Sequence, residues 1–180
     1  MFEIYQNGAK VNLMTRITIW ILMLLGGGAL GVWLDLHWCK SWFLNPWFHA
    51  VSFLIGIFVI RLVMRASRNT GRWLAKMGRE GDIPRMETNK LVTGGFYACM
   101  RHPMHFGLLL FPPAFAFLIG SVSFILFIAP IEMAIIIAMI KIVEEPGAIR
   151  KFGQDYRNYK NQVPMFSLRW VCLKELFGKK

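Results

Sequence analysis

Between Met104 and Val143 the sequence is almost unbroken in its apolar character, and its one interruption is the short run Gly120-Ser121-Val122. Two such runs joined by so short a link predict a tight antiparallel helical hairpin. In hydrocarbon every backbone N–H and C=O must be satisfied within its own segment, which helices do and open strands do not. Two further apolar runs precede it, about Leu13 to Leu34 and Pro46 to Met64, so the predicted spans are 13–34, 46–64, 104–119 and 122–143. With 56% hydrophobic and only 17% charged residues in 180, a water-soluble globule would have to expose much of this surface. The expected fold class is an all-α integral membrane protein of about four transmembrane helices, one domain over residues 1–180 whose first partner is the lipid bilayer.

The net charge of +11 would suggest nucleic acid in a soluble chain, but its distribution argues otherwise. Arg65 to Arg101 and Arg150 to Lys180 each hold eight Lys or Arg, whereas Asp35 to Asn45 holds one lysine and the hairpin link none. By the positive-inside rule both termini and the long middle loop are expected on the cytoplasmic side, of a bacterial inner membrane or the endoplasmic reticulum. No nucleic-acid partner is expected. Gly27 and Gly31 form a G-x-x-x-G step that would admit another helix closely. Trp38, Trp42 and Trp47 read as an interfacial belt.

Counting from Gly120 down both legs of the hairpin places Arg101 and His102 about 28 Å below the link and Glu144 and Glu145 about 36 Å below it. Both levels lie near the edge of a ~30 Å hydrocarbon core. Cationic and imidazole groups therefore face two carboxylates at one depth. Pro112, Pro113 and Pro130 are expected to bend the legs and open a crevice between them. After Glu145 the chain reads as an amphipathic cytoplasmic helix, with Ile149, Phe152, Tyr156 and Tyr159 on one face.

Glu132 falls near mid-bilayer, where a carboxylate is a functional candidate. It is expected either to pair with Arg61 or to face a substrate. His102 and His105, three residues apart opposite two carboxylates, have the spacing of metal ligands. The other histidines, His37 and His49, lie toward the far face, and no metal is expected. Cys39, Cys99 and Cys172 show no paired spacing, so no disulfide is expected and Cys99 reads as a spare thiol.

"GGFYACMRHPMHFG", followed after the hairpin by "KIVEEPGAIRKFGQDYRNYKNQVP", resembles the isoprenylcysteine carboxyl methyltransferase and phospholipid methyltransferase superfamily, over about residues 93–166. The resemblance implies a membrane-embedded enzyme that uses S-adenosylmethionine without a Rossmann domain. It implies a cofactor pocket lined by Tyr97, Arg101, His102, Pro103, His105 and Gly107, with Glu144 and Glu145 holding polar groups of the cofactor. Phe152, Gly153, Tyr156 and Tyr159 would form the covering helix. His105 stands where the family usually has tyrosine, and Gln162 where prenylcysteine-methylating relatives tend to carry a basic residue. Arg101 and Glu132 are the residues expected to act on the acceptor. Arg101 would orient an anionic acceptor or the cofactor carboxylate, and Glu132 or His105 would assist an amine. The acceptor is expected to be a lipophilic or small molecule. A membrane reductase of the related sterol-reductase fold using NADPH, and a four-helix scaffold without activity, are the alternatives.

Overall fold

The computed structural model describes residues 13–83 and 88–178, with side chains from residue 18 onward. Both chain ends, expected on the basic side, lie outside the described residues. Among the described residues the fold is wholly helical. The first helix, α1 (Leu13–Trp38), is followed by a single turn, α2 (Lys40–Phe43), and by α3 (Pro46–Met77). A second single turn, α4 (Phe96–Cys99), leads into α5 (Pro103–Leu109) and α6 (Phe111–Ile119). The remainder runs helically from Phe124 to Gln162 as a rod with a kink at Gly153, followed by α9 (Trp170–Phe177). The rod alternates a π-helical turn (Phe124–Ile128), α7 (Ala129–Met139), a second π-helical turn (Ile140–Glu144) and α8 (Glu145–Gln162).

Three of these helices, Thr18–Trp38, Pro46–Met77 and Phe124–Gln162, are long and apolar enough to cross a membrane, and Pro103–Ile119 is a shorter apolar one. Burial runs opposite to that of a soluble protein. Leu22, Leu54, Phe58, Phe127 and Ile142 are exposed, while the packed interior holds Ala66, Ala114, Ala116 and Ala129. Without a hydrophobic drive between helices, small residues that let backbones approach are what holds such a bundle together.

Gly27 and Gly31 meet the rod. A methyl group on Gly31 would fall 2.7 Å from Ser121 Oγ and 2.8 Å from Phe124 Cβ, and one on Gly27 would strike the Glu132 carboxyl. The hairpin link closes because Gly120 adopts φ +70°, a left-handed conformation that costs glycine little. Three side-chain contacts then lock it. The Ser52 hydroxyl donates to Phe117 O (2.6 Å) from α3, Asp35 Oδ1 accepts from Ser123 N (2.8 Å), and Ser121 Oγ accepts from Phe124 N (3.1 Å). Asp35, fully buried at the end of α1, caps the N-terminus of a different helix, where no water can do so.

The structure departs from the expected spans in two ways and meets expectation in another. α3 does not stop at Met64 but continues to Met77, because Arg65 to Met77 contains no proline and only one glycine, and its basic residues suit a helix leaving the membrane. The leg from Pro103 to Ile119 bends as expected, breaking at Leu110 because Pro112 and Pro113 supply no N–H to the turn before them. The rod, by contrast, stays helical through Pro130 and Pro146. Ala129 (φ −59°, ψ −43°) and Glu145 (φ −66°, ψ −44°) both keep helical dihedrals before a proline. Each of these prolines is preceded by a π-helical turn, whose wider hydrogen-bond spacing moves away the carbonyl that the ring would otherwise strike. The segment after Glu145 continues the rod as far as Phe152, leaves helical geometry at Gly153 (φ +58°, ψ −129°), and resumes beyond that kink as a second helix ending at Gln162.

Candidate functional site

Arg101 sits in the turn between α4 and α5, and two strands of contact hold it there. Its backbone N–H donates to Pro164 O (2.9 Å), and the next amide, of His102, donates to Met165 O (3.3 Å). Its guanidinium donates through Nε (3.2 Å) and Nη2 (2.7 Å) to Glu145 Oε1, and through Nη1 to Lys160 O (3.0 Å) and Val163 O. Lys160 Nζ meets the other oxygen of Glu145 at 2.6 Å. Glu145 is the hub of this network, with only 4% of its side chain exposed and that of Arg101 9%. A buried carboxylate this well satisfied ties the start of α5 to both ends of α8. The Val163-Pro164 pair supplies the carbonyls that complete the clamp.

His102 Nε2 lies 3.4 Å from Glu145 Oε1 and 3.5 Å from the Tyr156 hydroxyl. Burial pushes the imidazole down to about 4, helped by His105 beside it and opposed by Glu145. Desolvation outweighs the carboxylate, so His102 is neutral near pH 7 and its contact with Glu145 is a weak hydrogen bond, not an ion pair. Burial likewise pushes the Tyr97 phenol up to about 12. An unfolded His102 takes up its proton near pH 6.5, before the folded one does. Stability is therefore complete above about pH 6.5 and falls toward pH 4, by up to about 1.4 kcal/mol per unit. Thermal midpoints compared at about pH 7.5 and about pH 5 should differ in the wild type and differ less in His102→Gln. Equal pH sensitivity of the two proteins would contradict the assignment.

Above this clamp lies a cavity of about 200 Å³ whose walls include Tyr97, Arg101, His102, Met104, His105, Phe152, Tyr156 and Tyr159. The Tyr159 hydroxyl donates to Tyr97 O (2.6 Å), joining two of these walls. A second cavity of about 430 Å³ lies between α1, α5 and the rod, lined by Ile19, Trp20, Met104, His105, Leu108, Ile136, Met139, Ile140, Val143 and Glu144. The two share Met104 and His105. The first is aromatic and cationic, and the second is almost wholly apolar except at its His105–Glu144 end.

Of the residues expected at the cofactor pocket, Tyr97, Arg101, His102, His105, Tyr156 and Tyr159 line the first cavity. Pro103 is fully buried as the first residue of α5. Gly107 faces α3, where a methyl group would come 2.6 Å from Ala66 Cβ, so its part is helix packing. Glu145 lies beneath the cavity in the clamp, and Glu144 opens into the second cavity. Glu132 is buried against Gly27 in the seam of α1 and the rod, its Oε2 without a hydrogen-bond partner, and it lines neither cavity. Its expected partner Arg61 is exposed on α3, and no ion pair joins the two. Arg61 can leave hydrocarbon along its own stem, which removes the need for a buried counter-charge.

The absence of a disulfide is also corrected. Cys99 and Cys172 are bonded, joining α4 to α9 across 73 residues of sequence. So long a separation leaves no local pattern to read. Cys39 is the free cysteine.

No curated protein and no solved structure matches this sequence. Residues 44–155, from just before α3 into α8, match the family model for phospholipid methyltransferase. Since that match spans well over half of the chain and contains Arg101, His102, Glu144 and Glu145, the protein belongs to the phospholipid methyltransferase family.

Proposed function

We propose that the protein is an S-adenosylmethionine-dependent methyltransferase of the membrane. In this reading the first cavity takes the cofactor, the second a lipophilic acceptor, and the wall of Met104 and His105 is where they meet. That shared wall is the observation that carries the reading, because methyl transfer needs the two reactants in line within a few ångströms. α1, α3, the bent α5–α6 pair and the rod are the four crossings, with the clamp and the basic segments on the cytoplasmic side.

The lining fits the cofactor's chemistry. Tyr97, Phe152, Tyr156 and Tyr159 offer aromatic faces for a purine and for a sulfonium cation, and His102 and His105 offer imidazole N–H donors for a carboxylate. At about 200 Å³ the enclosed volume is below the ~300 Å³ of a typical small-molecule site, so a nucleoside cofactor would fill it and extend beyond it. Bound there, S-adenosylmethionine would supply an activated methyl group on sulfur. The chain itself contributes orientation and dryness. The clamp fixes the α5 start against α8, neutral His102 avoids repelling a cation, and the apolar second cavity strips water from the acceptor. Arg101 acts by position, since its guanidinium is committed to Glu145 and to two carbonyls. Glu144 and His105 border the reacting end of the acceptor cavity and are the residues assigned to its head.

The test is transfer of labelled methyl from S-adenosylmethionine to a total lipid extract by the protein in nanodiscs. Label should enter the organic phase. Glu144→Gln should lower kcat/KM for the acceptor about tenfold, with S-adenosylhomocysteine affinity unchanged. Label that never leaves the aqueous phase, for any lipid fraction, would count against the reading.

A further inference from the structure

We propose that the outward face of α3 holds the head group of an anionic phospholipid, with Arg65 and Arg68 as the two guanidiniums that grip its phosphate. The groove there is lined by Met64, Arg65, Ser67 and Arg68 and shares no residue with either cavity described above.

Arg61, Arg65, Arg68, Arg72 and Lys76 follow one another along α3 at intervals of three or four residues. At ~100° per residue they fall within an arc of about 80°, a single basic stripe on one side of the helix. All five are exposed, while Val63, Ala66, Asn69 and Thr70 are buried on the side that faces the bundle. Between Asp35 and Glu80 the sequence holds no acidic residue, and among the described residues no ion pair joins the stripe to a carboxylate. A solvated helix laced by its own salt bridges would carry acids three or four residues from each cation. This one leaves its charge to an external anion.

Depth decides which anion that is. Trp47 is exposed at the start of α3, and ~30 Å of helix from there, about 20 residues, ends at Ser67. The segment around α9 marks the same level independently. Ala66 meets Gly107 of α5, and Phe106 beside it touches both Phe166 and Phe177, at ring-centroid distances of 5.6 and 6.4 Å. Asn69 holds the end of α9 through Leu176 O and Gly178 O. The segment so pinned leaves Leu168, Trp170 and Val171 exposed, as side chains at a lipid interface are. Arg65 and Arg68 therefore sit at the level of the leaflet's phosphates. Arg61, about a turn deeper, reaches that level along its own stem.

The groove's chemistry suits a phospholipid rather than a soluble anion. Each guanidinium can donate two N–H groups to phosphate oxygens, and Ser67 adds a hydroxyl. Exposed Met64 offers an apolar contact to the glycerol esters and acyl chain, which inorganic phosphate lacks. A zwitterionic lipid brings its own cation to the stripe. A net negative head group is therefore favoured, by roughly fivefold for each basic residue at the surface.

Dioleoylphosphatidylglycerol and dioleoylphosphatidylcholine share acyl chains and differ in net charge. Each is titrated into mixed micelles holding the full chain, with the thermal midpoint as readout. Phosphatidylglycerol should stabilise the wild type saturably, at about a tenfold lower mole fraction than phosphatidylcholine. Arg65→Gln/Arg68→Gln should lose that preference. Arg65→Lys/Arg68→Lys, which keeps the charge but not the fork, should keep part of it. Arg150→Gln/Arg157→Gln removes two exposed cations from α8, so it controls for net charge and should keep the whole preference. Equal curves for the two lipids in the wild type, an undiminished preference in Arg65→Gln/Arg68→Gln, or an equal loss in the α8 variant would each overturn the proposal. Inorganic phosphate is titrated into the same micelles, and no shift is expected. Stabilisation matching that of phosphatidylglycerol would assign the groove to a soluble anion and overturn the lipid.

Discussion

Arg101→Met is expected to destabilise the protein by about 3–5 kcal/mol, and Glu145→Leu by a similar amount, whereas the double substitution should cost much less than their sum. The reason is the asymmetry of a buried ion pair. Arg101 and Glu145 are 9% and 4% exposed, and each oxygen of the carboxylate already has a cationic donor. Removing either partner strands a charge away from water, while removing both leaves apolar groups that can pack. Lys160 softens the loss on the Glu145 side, because it is 40% exposed and can turn to solvent. Arg101→Met should therefore be the worse single change, since it leaves the carboxylate with one cation and leaves Lys160 O and Val163 O without their donor. A double-mutant cycle on unfolding in mixed micelles measures the coupling. Additive effects, or singles within ~0.5 kcal/mol of wild type, would show that the clamp is solvated and not structural.

Loss of the Cys99–Cys172 bond is expected to cost about 2–4 kcal/mol, because it releases a long loop in the unfolded chain. It joins α4, two residues from Arg101, to α9, which is otherwise held by Asn69 Nδ2 donating to Leu176 O (2.9 Å) and Gly178 O (3.0 Å). Both sulfurs sit in the cluster that contains Tyr97, Tyr156 and Tyr159, so loosening α9 should reach the first cavity as well. A reducing agent should lower the wild-type thermal midpoint and leave that of Cys99→Ser unmoved. A wild type indifferent to reductant would contradict this. The bond bears on topology too. The positive-inside rule would place the basic segments on the cytoplasmic side, where thiols are kept reduced, yet this pair lies among them. Cys172 is buried and Cys99 half-buried, so a reductant attacks first at the Cys99 sulfur.

The membrane helices were legible because lipid forces a simple rule on the chain, so the four expected apolar runs all fold as helices. The meeting of Arg101 and His102 with Glu145 across the hairpin was legible for a similar reason, since helical rise alone places both near the same membrane edge below Gly120. What each carboxylate does was not legible. Glu144 and Glu145 read as one acidic pair, but neighbours on a helix point about 100° apart, so one enters the clamp and the other a different cavity. Gly107 packs closely against Ala66 of α3, a contact its sequence neighbourhood does not show. Nothing in the sequence around Asp35 marks its role. Only the three-dimensional return of the hairpin shows it capping Ser123. The disulfide and the passage of the rod through Pro130 and Pro146 were hidden for the same reason, because each depends on contacts or turn geometry that no local pattern encodes.

The measurement that bears most directly on the account is calorimetric titration of S-adenosylhomocysteine, and separately of NADPH, into the purified protein in nanodiscs. The account predicts saturable binding of S-adenosylhomocysteine, weakened in Tyr156→Ala, and stabilisation of about 2.7 kcal/mol at a hundredfold excess over Kd. It predicts no binding of NADPH. Heat from NADPH alone, or from neither, would contradict it.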